Sequence, residues 1–488
     1  MTEYKAWLQE HREEMQSSLQ ELIRIPSVKG NPVRLPDGTV ARYGKEVQKV
    51  YEKALSLGRE LGFDVLDADG YGGHIEWKGD EGSEKEDVFA VVTHLDVVPA
   101  GEGWSLDPYD PVIRDGRMNG RGTTDDKGPM IASLYAMKAL KESGYRPKRT
   151  IRLILGLDEE TGKEGMNRYL EIAGEPKEGI TPDSDFPLIC AEKGILNFRL
   201  AMRLRKRPAG KGMLLTKMEA GTAPNIVIGE AKAVLSSKDR SQYDMVREKA
   251  KQYTEETGYK LRVRGVGSSL LVEAEGRTAH GSTPEKGLNA YSILIDFLGA
   301  FTFVNEEAND FIAFYNEKIA FCTDGSLIGC DFTDEVSGGT VFNVGLASWN
   351  EEMAEFTVNL RYPVTCRSEE IYQALEFALQ DTEIGLIKES DDPPFYLPVD
   401  DPLIEELLAV YAEETGVNDP QPIVESGGSY AKLFKRVVPF GALLPGQEDR
   451  MHQADEYIEL EVLDKIACIY AATLARLCCE DRDGLREE

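Results

Sequence analysis

Cysteine is scarce in this sequence, and long apolar runs are absent from it. The seven cysteines are an odd number and include no C-x-x-C pair, so we expect reduced, buried thiols and a cytoplasmic protein. They are Cys190, Cys322, Cys330, Cys366, Cys468, Cys478 and Cys479. No apolar run is long enough to cross a bilayer, and the charged first 25 residues lack the apolar core of a signal peptide. We therefore expect no membrane partner.

Positive charge is also in short supply. Lys and Arg total 56 against 86 Asp and Glu, which gives a net charge of −30. Such a surface disfavours nucleic acid and anionic membranes as partners, because both are polyanions. A chain of 488 residues is too long for one hydrophobic core, so two or more domains are expected.

Buried strands and helices alternate in the first 194 residues. The strands are read from DVFAVVTHLDVVP (87–99), TIRLILGLDEETG (150–162) and FPLICAEKG (186–194), and residues 128–144 have helical spacing. This alternation predicts an α/β fold with a mostly parallel sheet flanked by helices. Ligands of such sheets bind beyond the carboxyl ends of the strands. Residues 3–25 are predicted to form one amphipathic helix.

The pattern changes from residue 195 onward. Alternating strands with two helix-like segments indicate an α+β region with antiparallel pairing. The segment 388–402 is rich in Asp and Pro and marks the return of the chain. We therefore predict a first domain made of residues 1–194 and 389–488, with residues 195–388 inserted into it as a second domain.

Two polar residues interrupt the most apolar strand. His94 and Asp96 are two positions apart, so they project to the same side of the strand. A histidine that binds a metal usually donates its other ring N–H to a carboxylate or carbonyl group. The alternative interpretation is a core histidine beside a surface aspartate.

Further acidic clusters follow other predicted strands or lie in loops close to them. Each has a structural alternative: a helix N-cap for Asp125 or Asp126, solvent exposure for Asp158–Gly162, and a turn for Asp183. His452 lies among acids near the end of the chain, and His11 and His74 are interpreted as structural or surface residues. Taken together, His94, His452, Glu160, Asp183 and one of the paired aspartates supply the ligands that a two-metal hydrolytic site requires. The residue types alone do not choose between Asp125 and Asp126.

The order of these motifs resembles that of a known family. H-x-D-V-V-P, R-G-x-x-D-D-K-G-P, D-E-E-x-G, P-D-x-x-F-P, A-E-K-G and a late M-H-x-x-D-E occur in sequence between about residues 90 and 456. This series is similar to the co-catalytic dizinc exopeptidases and amidohydrolases, the relatives of aminoacylase, carboxypeptidase G and acetylornithine deacetylase. The likeness spans residues 5–480 and is greatest to the monomeric, dipeptidase V-type branch.

The resemblance implies roles for residues of the first domain. His94 and Asp183 would bind one metal ion, Glu160 and His452 a second, and Asp125 would bridge the two. The Asp125–Asp126 peptide bond is expected to be cis. Asp96 would orient His94, and Glu159 would act as general base and then as general acid. Zinc is the expected metal, with manganese or cobalt as alternatives.

The resemblance also makes the inserted domain a lid with two lobes. His280, in RTAHGSTPEKGLNA, is similar to the family's lid histidine, which stabilises the oxyanion. Asn225 and Arg361 resemble positions that bind the substrate's free carboxylate, although structural pairing is an alternative for the arginine. Ser426, Gly427 and Gly428 resemble a glycine-rich segment whose backbone lines the pocket.

The function implied is a metal-dependent dipeptidase that cleaves short peptides with a free C-terminal carboxylate, using a metal-bridging water and the Glu159 base. An N-acyl amino acid deacylase or desuccinylase with the same site is the alternative within this chemistry. A peptide-binding protein without catalysis is the alternative outside it. A small peptide is the expected partner, and the large insert predicts a monomer.

Overall fold

A computed structural model describes residues 2–80, 87–205 and 212–480. The helices, α1 to α11 in chain order, are Glu3–Glu10, Arg12–Ile23, Lys45–Glu60, Lys127–Glu142, Glu164–Ala173, Ser241–Thr257, Ala290–Leu298, Glu306–Lys318, Ser368–Leu379, Pro402–Thr415 and Leu460–Cys478. Within the described residues, none of these helices has the length and apolar content to span a bilayer.

The strands carry the numbers β1 to β24 in chain order. They are Val33–Arg34, Val40–Ala41, Asp64–Asp67, Gly73–Trp77, Val88–His94, Val112–Arg114, Arg117–Asn119, Thr150–Gly156, Glu178–Thr181, Ile189–Glu192, Gly194–Arg203, Leu214–Gly221, Glu230–Ser236, Lys260–Val266, Ser269–Glu275, Thr333–Asp334, Gly338–Gly339, Val341–Trp349, Met353–Tyr362, Gly385–Asp392, Phe395–Tyr396, Ile423–Glu425, Val437–Pro439 and Tyr457–Glu459.

The chain divides into two compact units. The first comprises Met1–Cys190, Tyr396–Val424 and Ser429–Glu488, and the second comprises Ala191–Phe395 and Glu425–Gly428. The assignment of the two as catalytic domain and two-lobed lid stays a prediction.

A six-stranded sheet forms the centre of the first unit. Its strand order is β23-β9-β5-β8-β4-β3, with parallel pairing from β23 to β8 and antiparallel pairing from β8 to β3. All seven residues of β5 are buried, which explains its nearly continuous apolar sequence. Helix α4 packs against α11 and contacts β5 and β8. The predicted α/β fold class is confirmed.

A large antiparallel sheet forms the centre of the second unit. Eight strands pair in the order β14-β15-β13-β12-β18-β19-β11-β20. Strand β19 illustrates how its two faces differ: Phe356, Val358 and Leu360 belong to the hydrophobic core, whereas Asn359 and Arg361 point to the opposite face. Asn359 and Arg361 therefore do not contribute to the hydrophobic core, and their presence on β19 needs another explanation.

The helix predicted over residues 3–25 is interrupted. Helix α1 ends at Glu10 and α2 begins at Arg12, with His11 at φ −103° and ψ 16° between them. The His11 ring stacks on Trp7 with ring centroids 3.8 Å apart, and its Nδ1 lies 2.9 Å from the Trp7 carbonyl oxygen. The sequence has no Gly or Pro at this break, and its hydrophobic periodicity continues across it. One continuous helix was therefore predicted.

Candidate metal centre

Three parallel strands deliver polar side chains to one edge of the sheet in the first unit. Strand β5 ends at His94, Glu159 and Glu160 follow β8, and Asp183 follows β9. Because these strands run in the same direction, their carboxyl ends meet at the same edge. His94 Nε2 consequently lies 3.5 Å from Asp183 Oδ2.

Asp125 lies between the two predicted metal-binding histidines. Its Oδ1 is 2.8 Å from His94 Nε2, and its Oδ2 is 3.0 Å from His452 Nε2. The same His452 nitrogen lies 3.0 Å from Glu160 Oε2. The five predicted metal ligands therefore form one cluster, with one Asp125 oxygen facing each histidine.

The neighbouring aspartate has a different environment. Asp126 Oδ2 accepts a hydrogen bond from the His94 backbone N–H at 3.1 Å. The Asp125–Asp126 peptide bond is cis, as the resemblance implies. The geometry thus separates two carboxylates that composition and spacing could not distinguish: Asp125 faces the histidine rings, and Asp126 contacts the backbone of β5.

Unpaired polar atoms in the cluster fit a bound cation. His94 Nε2 and Asp125 Oδ1 are 2.8 Å apart but do not form a hydrogen bond, and Glu160 Oε1 is likewise buried without one among the described residues. Two groups of side chains could each bind a metal ion: His94 with Glu159 and Asp183, and His94 with Asp125 and Glu160. Within each group, the potential ligand atoms lie within 4.8 Å of one another. Buried polar atoms without partners are costly, and coordination of a divalent ion would remove that cost.

The electrostatics of both histidines agree with this interpretation. Burial alone would lower the pKa of His94, but the carboxylates of Asp125 and Asp183 raise it well above its usual value. Hydrogen bonds to Asp125 and Glu160 raise the pKa of His452 to about 11. The cluster is therefore a strongly negative environment that stabilises positive charge.

Asp96 contacts His94 at Nδ1, the ring nitrogen that faces away from Asp125. His94 Nδ1 lies 3.0 Å from the backbone oxygen of Asp96 and 3.5 Å from its Oδ1. The Asp96 carboxylate accepts hydrogen bonds from the backbone N–H groups of Glu159 and Glu160, at 3.1 and 3.2 Å. The predicted orientation of His94 thus involves the Asp96 carbonyl most closely, while the carboxylate holds the turn that carries the two glutamates.

Glu159, the predicted base, lies in the same buried region. Burial and the nearby charge of Asp183 raise its pKa to about 8. Lys163 Nζ is 3.9 Å from Glu159 Oε1 and donates a hydrogen bond to the Ser429 carbonyl at 2.8 Å.

Glu456 is a structural determinant of the site that the analysis of the sequence did not single out. Its Oε1 accepts hydrogen bonds from the backbone N–H groups of Gly122 and Thr124, both at 3.0 Å, and its Oε2 lies 2.6 Å from Arg121 Nη1. The carboxylate therefore fixes the loop that leads into Asp125. Glu456 is the last residue of the M-H-x-x-D-E motif, which could have drawn attention to it. The motif does not indicate that its partner is the loop containing Arg121.

Tyr430 is a second such residue. Its ring lies edge-on to His94, with centroids 6.5 Å apart, and its hydroxyl donates to Asp158 Oδ1 at 3.3 Å. Gly156 allows this approach, because a Cβ at that position would lie 2.4 Å from the tyrosine ring. Tyr430 belongs to the SGGSYAK segment, in which the sequence analysis selected Ser426, Gly427 and Gly428 but not the tyrosine.

The remaining predicted site residues belong to the second unit. The Asn225 carbonyl accepts a hydrogen bond from the Gly281 N–H at 2.7 Å, which fixes Asn225 beside the His280 segment. His280 Nδ1 lies 2.6 Å from Ser282 Oγ. Burial and the charge of Arg361 lower the pKa of His280, which favours the neutral imidazole.

The glycine-rich segment contacts the predicted carboxylate-binding arginine. Arg361 Nη1 donates to the Ser426 carbonyl oxygen, and residues 425–428, including Gly427 and Gly428, group with the second unit. Among the described residues, the hydrogen-bond partners of Arg361 are the Ser426 carbonyl and Asn359 Oδ1, and no carboxylate forms an ion pair with it.

The parallel sheet and the histidine–carboxylate cluster at its carboxyl edge define a metal-dependent hydrolase. The model of "Peptidase family M20/M25/M40" matches residues 90–476, and the chain belongs to this family. Membership confirms the resemblance drawn from the motifs. It identifies the chain as an enzyme, a metallopeptidase, and implies divalent metal ions as cofactors.

Relatives that match over nearly their whole length agree with this assignment, and solved structures share the fold. The putative dipeptidase YtjP of Bacillus subtilis (strain 168) is 33% identical over 467 residues, which cover 96% of this chain and 97% of that protein. A putative dipeptidase of Staphylococcus epidermidis is 32% identical, with coverage of 98% and 100%. The fold is similar to that of aminoacylhistidine dipeptidase from Vibrio alginolyticus, with a TM-score of 0.56, 15% identity and coverage of 96% and 97%. Human carnosine dipeptidase 1 gives a TM-score of 0.54 at 16% identity, again with coverage of 96% and 97%.

Proposed function

We propose that this protein is a metal-dependent dipeptidase that hydrolyses short peptides with a free C-terminal carboxylate. The observation that carries the proposal is the position of Asp125, whose two oxygens lie 2.8 and 3.0 Å from His94 and His452. One carboxylate facing two imidazoles is the arrangement expected of a ligand shared by two ions. The relatives named as putative dipeptidases support a dipeptide substrate over an N-acyl amino acid.

Two zinc ions are the proposed cofactors. His94 and Asp183 would hold one ion, Glu160 and His452 the other, and Asp125 both. When bound, such ions lower the pKa of a water molecule and polarise the scissile carbonyl. The mixture of imidazole and carboxylate ligands suits zinc, and it also accommodates manganese or cobalt.

Glu159 is the proposed proton carrier. Its carboxylate would take a proton from the attacking water and deliver it to the leaving amine. Support comes from its position in a group with His94 and Asp183, whose potential ligand atoms lie within 4.8 Å of one another. Asp96 supports this step by accepting the Glu159 and Glu160 backbone N–H groups.

Residues of the second unit are the proposed binders of the substrate's polar ends. Arg361 is 4% exposed, and burial lowers its pKa to about 10, yet it carries no acidic partner within the described chain. A buried guanidinium of this kind suits a ligand carboxylate. Asn225 would assist at the same carboxylate, His280 would stabilise the oxyanion, and the Ser426–Gly428 backbone would line the pocket.

A substrate panel tests the proposal. The metal-loaded protein is incubated with L-alanyl-L-alanine and with N-acetyl-L-alanine, and amino acid release is measured. Release from the dipeptide with little from the N-acetyl compound is expected. The reverse preference would favour the amidohydrolase, and binding of the dipeptide without turnover of either compound would favour a peptide-binding protein.

We also propose that the protein is a cytoplasmic monomer. The insert of roughly 195 residues is large enough to supply His280 from the same chain, so a partner subunit is not required. Light scattering coupled to size-exclusion chromatography should give the mass of one chain at micromolar concentration. A stable dimer would contradict this proposal and leave the peptidase assignment intact.

A further inference from the structure

A row of polar side chains crosses one face of the sheet in the second unit. Ser390, Asn197, Asn359 and Asn343 lie directly opposite one another on β20, β11, β19 and β18. Residues that are directly opposite project to the same face of a sheet. Asn343 and Asn359 are only 1% and 3% exposed. Asparagine is depleted in strands, and its burial is tolerated only when hydrogen bonds satisfy the amide.

The hydrogen bonds along this row point in one direction. Asn197 Nδ2 donates to Ser390 Oγ at 2.9 Å, and Asn359 Nδ2 donates to Asn197 Oδ1 at 2.9 Å. Asn359 Oδ1 is thereby turned toward Arg361, whose Nε donates to it at 3.4 Å. Rotation of the Asn359 amide would break both of its contacts, so Asn197 fixes which atom of Asn359 faces the guanidinium.

These contacts leave one edge of the Arg361 guanidinium available. A guanidinium has five N–H donors. Nε donates to Asn359 and one Nη1 N–H donates to the Ser426 carbonyl. Three N–H groups remain, one on Nη1 and two on Nη2, and no described carboxylate pairs with them. The edge formed by Nη1 and Nη2 can therefore bind a carboxylate through two parallel hydrogen bonds.

We propose that Asn359, oriented by Asn197, is a positioning residue that directs the Nη1–Nη2 edge of Arg361 toward the free carboxylate of the peptide substrate. This inference rests on the proposed function, because it takes Arg361 as the carboxylate-binding residue. Asn359 contacts the arginine and not the substrate. It determines the preference for free C-terminal acids over C-terminal amides by holding a flexible side chain in one geometry.

The test compares two substrates that differ only at the C-terminus. L-alanyl-L-alanine and L-alanyl-L-alaninamide are assayed with the metal-loaded wild type, Asn359→Leu and Arg361→Met. Leucine has the same branched shape as asparagine, is larger, and forms no side-chain hydrogen bond. For Asn359→Leu, KM for the free acid should rise roughly 10- to 100-fold, the factor expected from one hydrogen bond to a charged group, with kcat little changed. The kcat/KM for the amide should stay the same.

Thr357→Val serves as the matched control. Thr357 lies two residues before Asn359 on the same strand and face, is also buried, and forms no hydrogen bond with Arg361 in the described chain. This variant should keep the wild-type acid-to-amide ratio of kcat/KM. Asn197→Leu should lower the ratio by a smaller factor than Asn359→Leu, since it removes only the support of the Asn359 amide. If Asn359→Leu fails to fold, Asn197→Leu decides the question, and an unchanged ratio overturns the proposal.

The outcomes separate this inference from the function on which it rests. If Arg361→Met lowers the acid-to-amide ratio and Asn359→Leu does not, Arg361 binds the carboxylate and the positioning role is wrong. If Arg361→Met leaves the ratio unchanged, carboxylate binding by Arg361 itself is wrong. Equal losses for both substrates in Asn359→Leu would indicate general damage to the strand and would also overturn the positioning role.

Discussion

At the scale of single residues, function depends on which side chains have partners and which do not. His94, Asp125 and Glu160 form one group of potential ligand atoms, and each has a buried atom without a hydrogen bond in the described chain. Asp126 also has an unpaired oxygen, but Asp126 and Asp96 both accept hydrogen bonds from backbone N–H groups. The first three therefore fit metal ligands, and the other two hold the ligands in place. The sequence alone does not separate these two roles, because aspartate occurs in both.

Replacement of Glu159 tests the proposed proton carrier. Glu159→Gln keeps the size of the side chain and removes its basic oxygen, so kcat for L-alanyl-L-alanine should fall about 100- to 10,000-fold. Metal content, measured by atomic emission after gel filtration, should stay near the wild-type value. The control is Glu164→Gln, at an exposed acid five residues further on. Comparable turnover in the Glu159 and Glu164 variants would remove Glu159 from the mechanism.

His74 provides a pH-dependent prediction away from the metal cluster. It is 4% exposed, and burial lowers its pKa to about 3. The unfolded chain takes up a proton near pH 6.5 and the folded chain does not, so this group stabilises the fold fully above pH 6.5 and loses its contribution as the pH falls toward 3. Between pH 7 and 5 the loss is roughly 2 kcal/mol.

The measurement compares urea unfolding of wild type and His74→Asn at pH 7 and pH 5. The variant should lose roughly 2 kcal/mol less than wild type over this interval. Its stability at pH 7 should be lower than that of wild type, because the hydrogen bond between Nδ1 and the Tyr169 hydroxyl, 2.7 Å long, is lost. The same pH dependence in both proteins would contradict the assignment of a neutral, buried His74.

At the scale of secondary-structure elements, the loop before α4 depends on a residue more than 300 positions away. Glu456 accepts N–H groups of that loop and pairs with Arg121, and both side chains are almost fully buried. The sequence predicted β5, β8 and α4, because apolar runs and helical spacing determine local structure. It did not predict this clamp, because the clamp depends on contacts outside the local window, and it did not predict the break at His11, because no Gly or Pro marks it.

Removal of the clamp should destabilise the first unit. Glu456→Ala leaves Arg121 buried without its carboxylate, and loss of one partner of a buried ion pair costs about 3–5 kcal/mol. The free energy of unfolding, measured in urea, should fall by that amount, and metal retention should fall with it because the Asp125 loop loses its support. The control is Glu142→Ala on α4, whose exposed pair with Lys138 should contribute about 1 kcal/mol or less. Equal effects of the two substitutions would contradict the clamp.

At the scale of the whole molecule, two compact units carry different parts of the proposed chemistry. The first contains the histidine–carboxylate cluster, and the second contains Arg361, proposed to bind the substrate carboxylate, and the row of polar side chains proposed to orient it. Metal binding should therefore stabilise the first unit specifically, since its ligands come from segments between residues 94 and 452 that meet only after folding.

Chelation measures that coupling. Removal of metal with EDTA should abolish dipeptide hydrolysis and lower the unfolding temperature, because a ligand at about 1,000 times its dissociation constant stabilises the folded state by about 4 kcal/mol. Re-addition of zinc, manganese or cobalt should restore both, and the ion that gives the highest kcat/KM identifies the preferred cofactor. A chelated protein with unchanged activity would contradict the metal-dependent mechanism.

The sequence by itself determined the α/β body, the antiparallel insert, the family and the residue types of the metal cluster. These follow from periodicity and from motifs whose order is specific, and neither requires knowledge of distant contacts. Only the tertiary structure showed how the surroundings of Asp125 and Asp126 differ, revealed Glu456 and Tyr430 behind the site, and connected Asn197 through Asn359 to Arg361. Each of those depends on which side chains meet across strands and loops far apart in the chain, and hydrogen-bond partners at such distances are not encoded in local spacing.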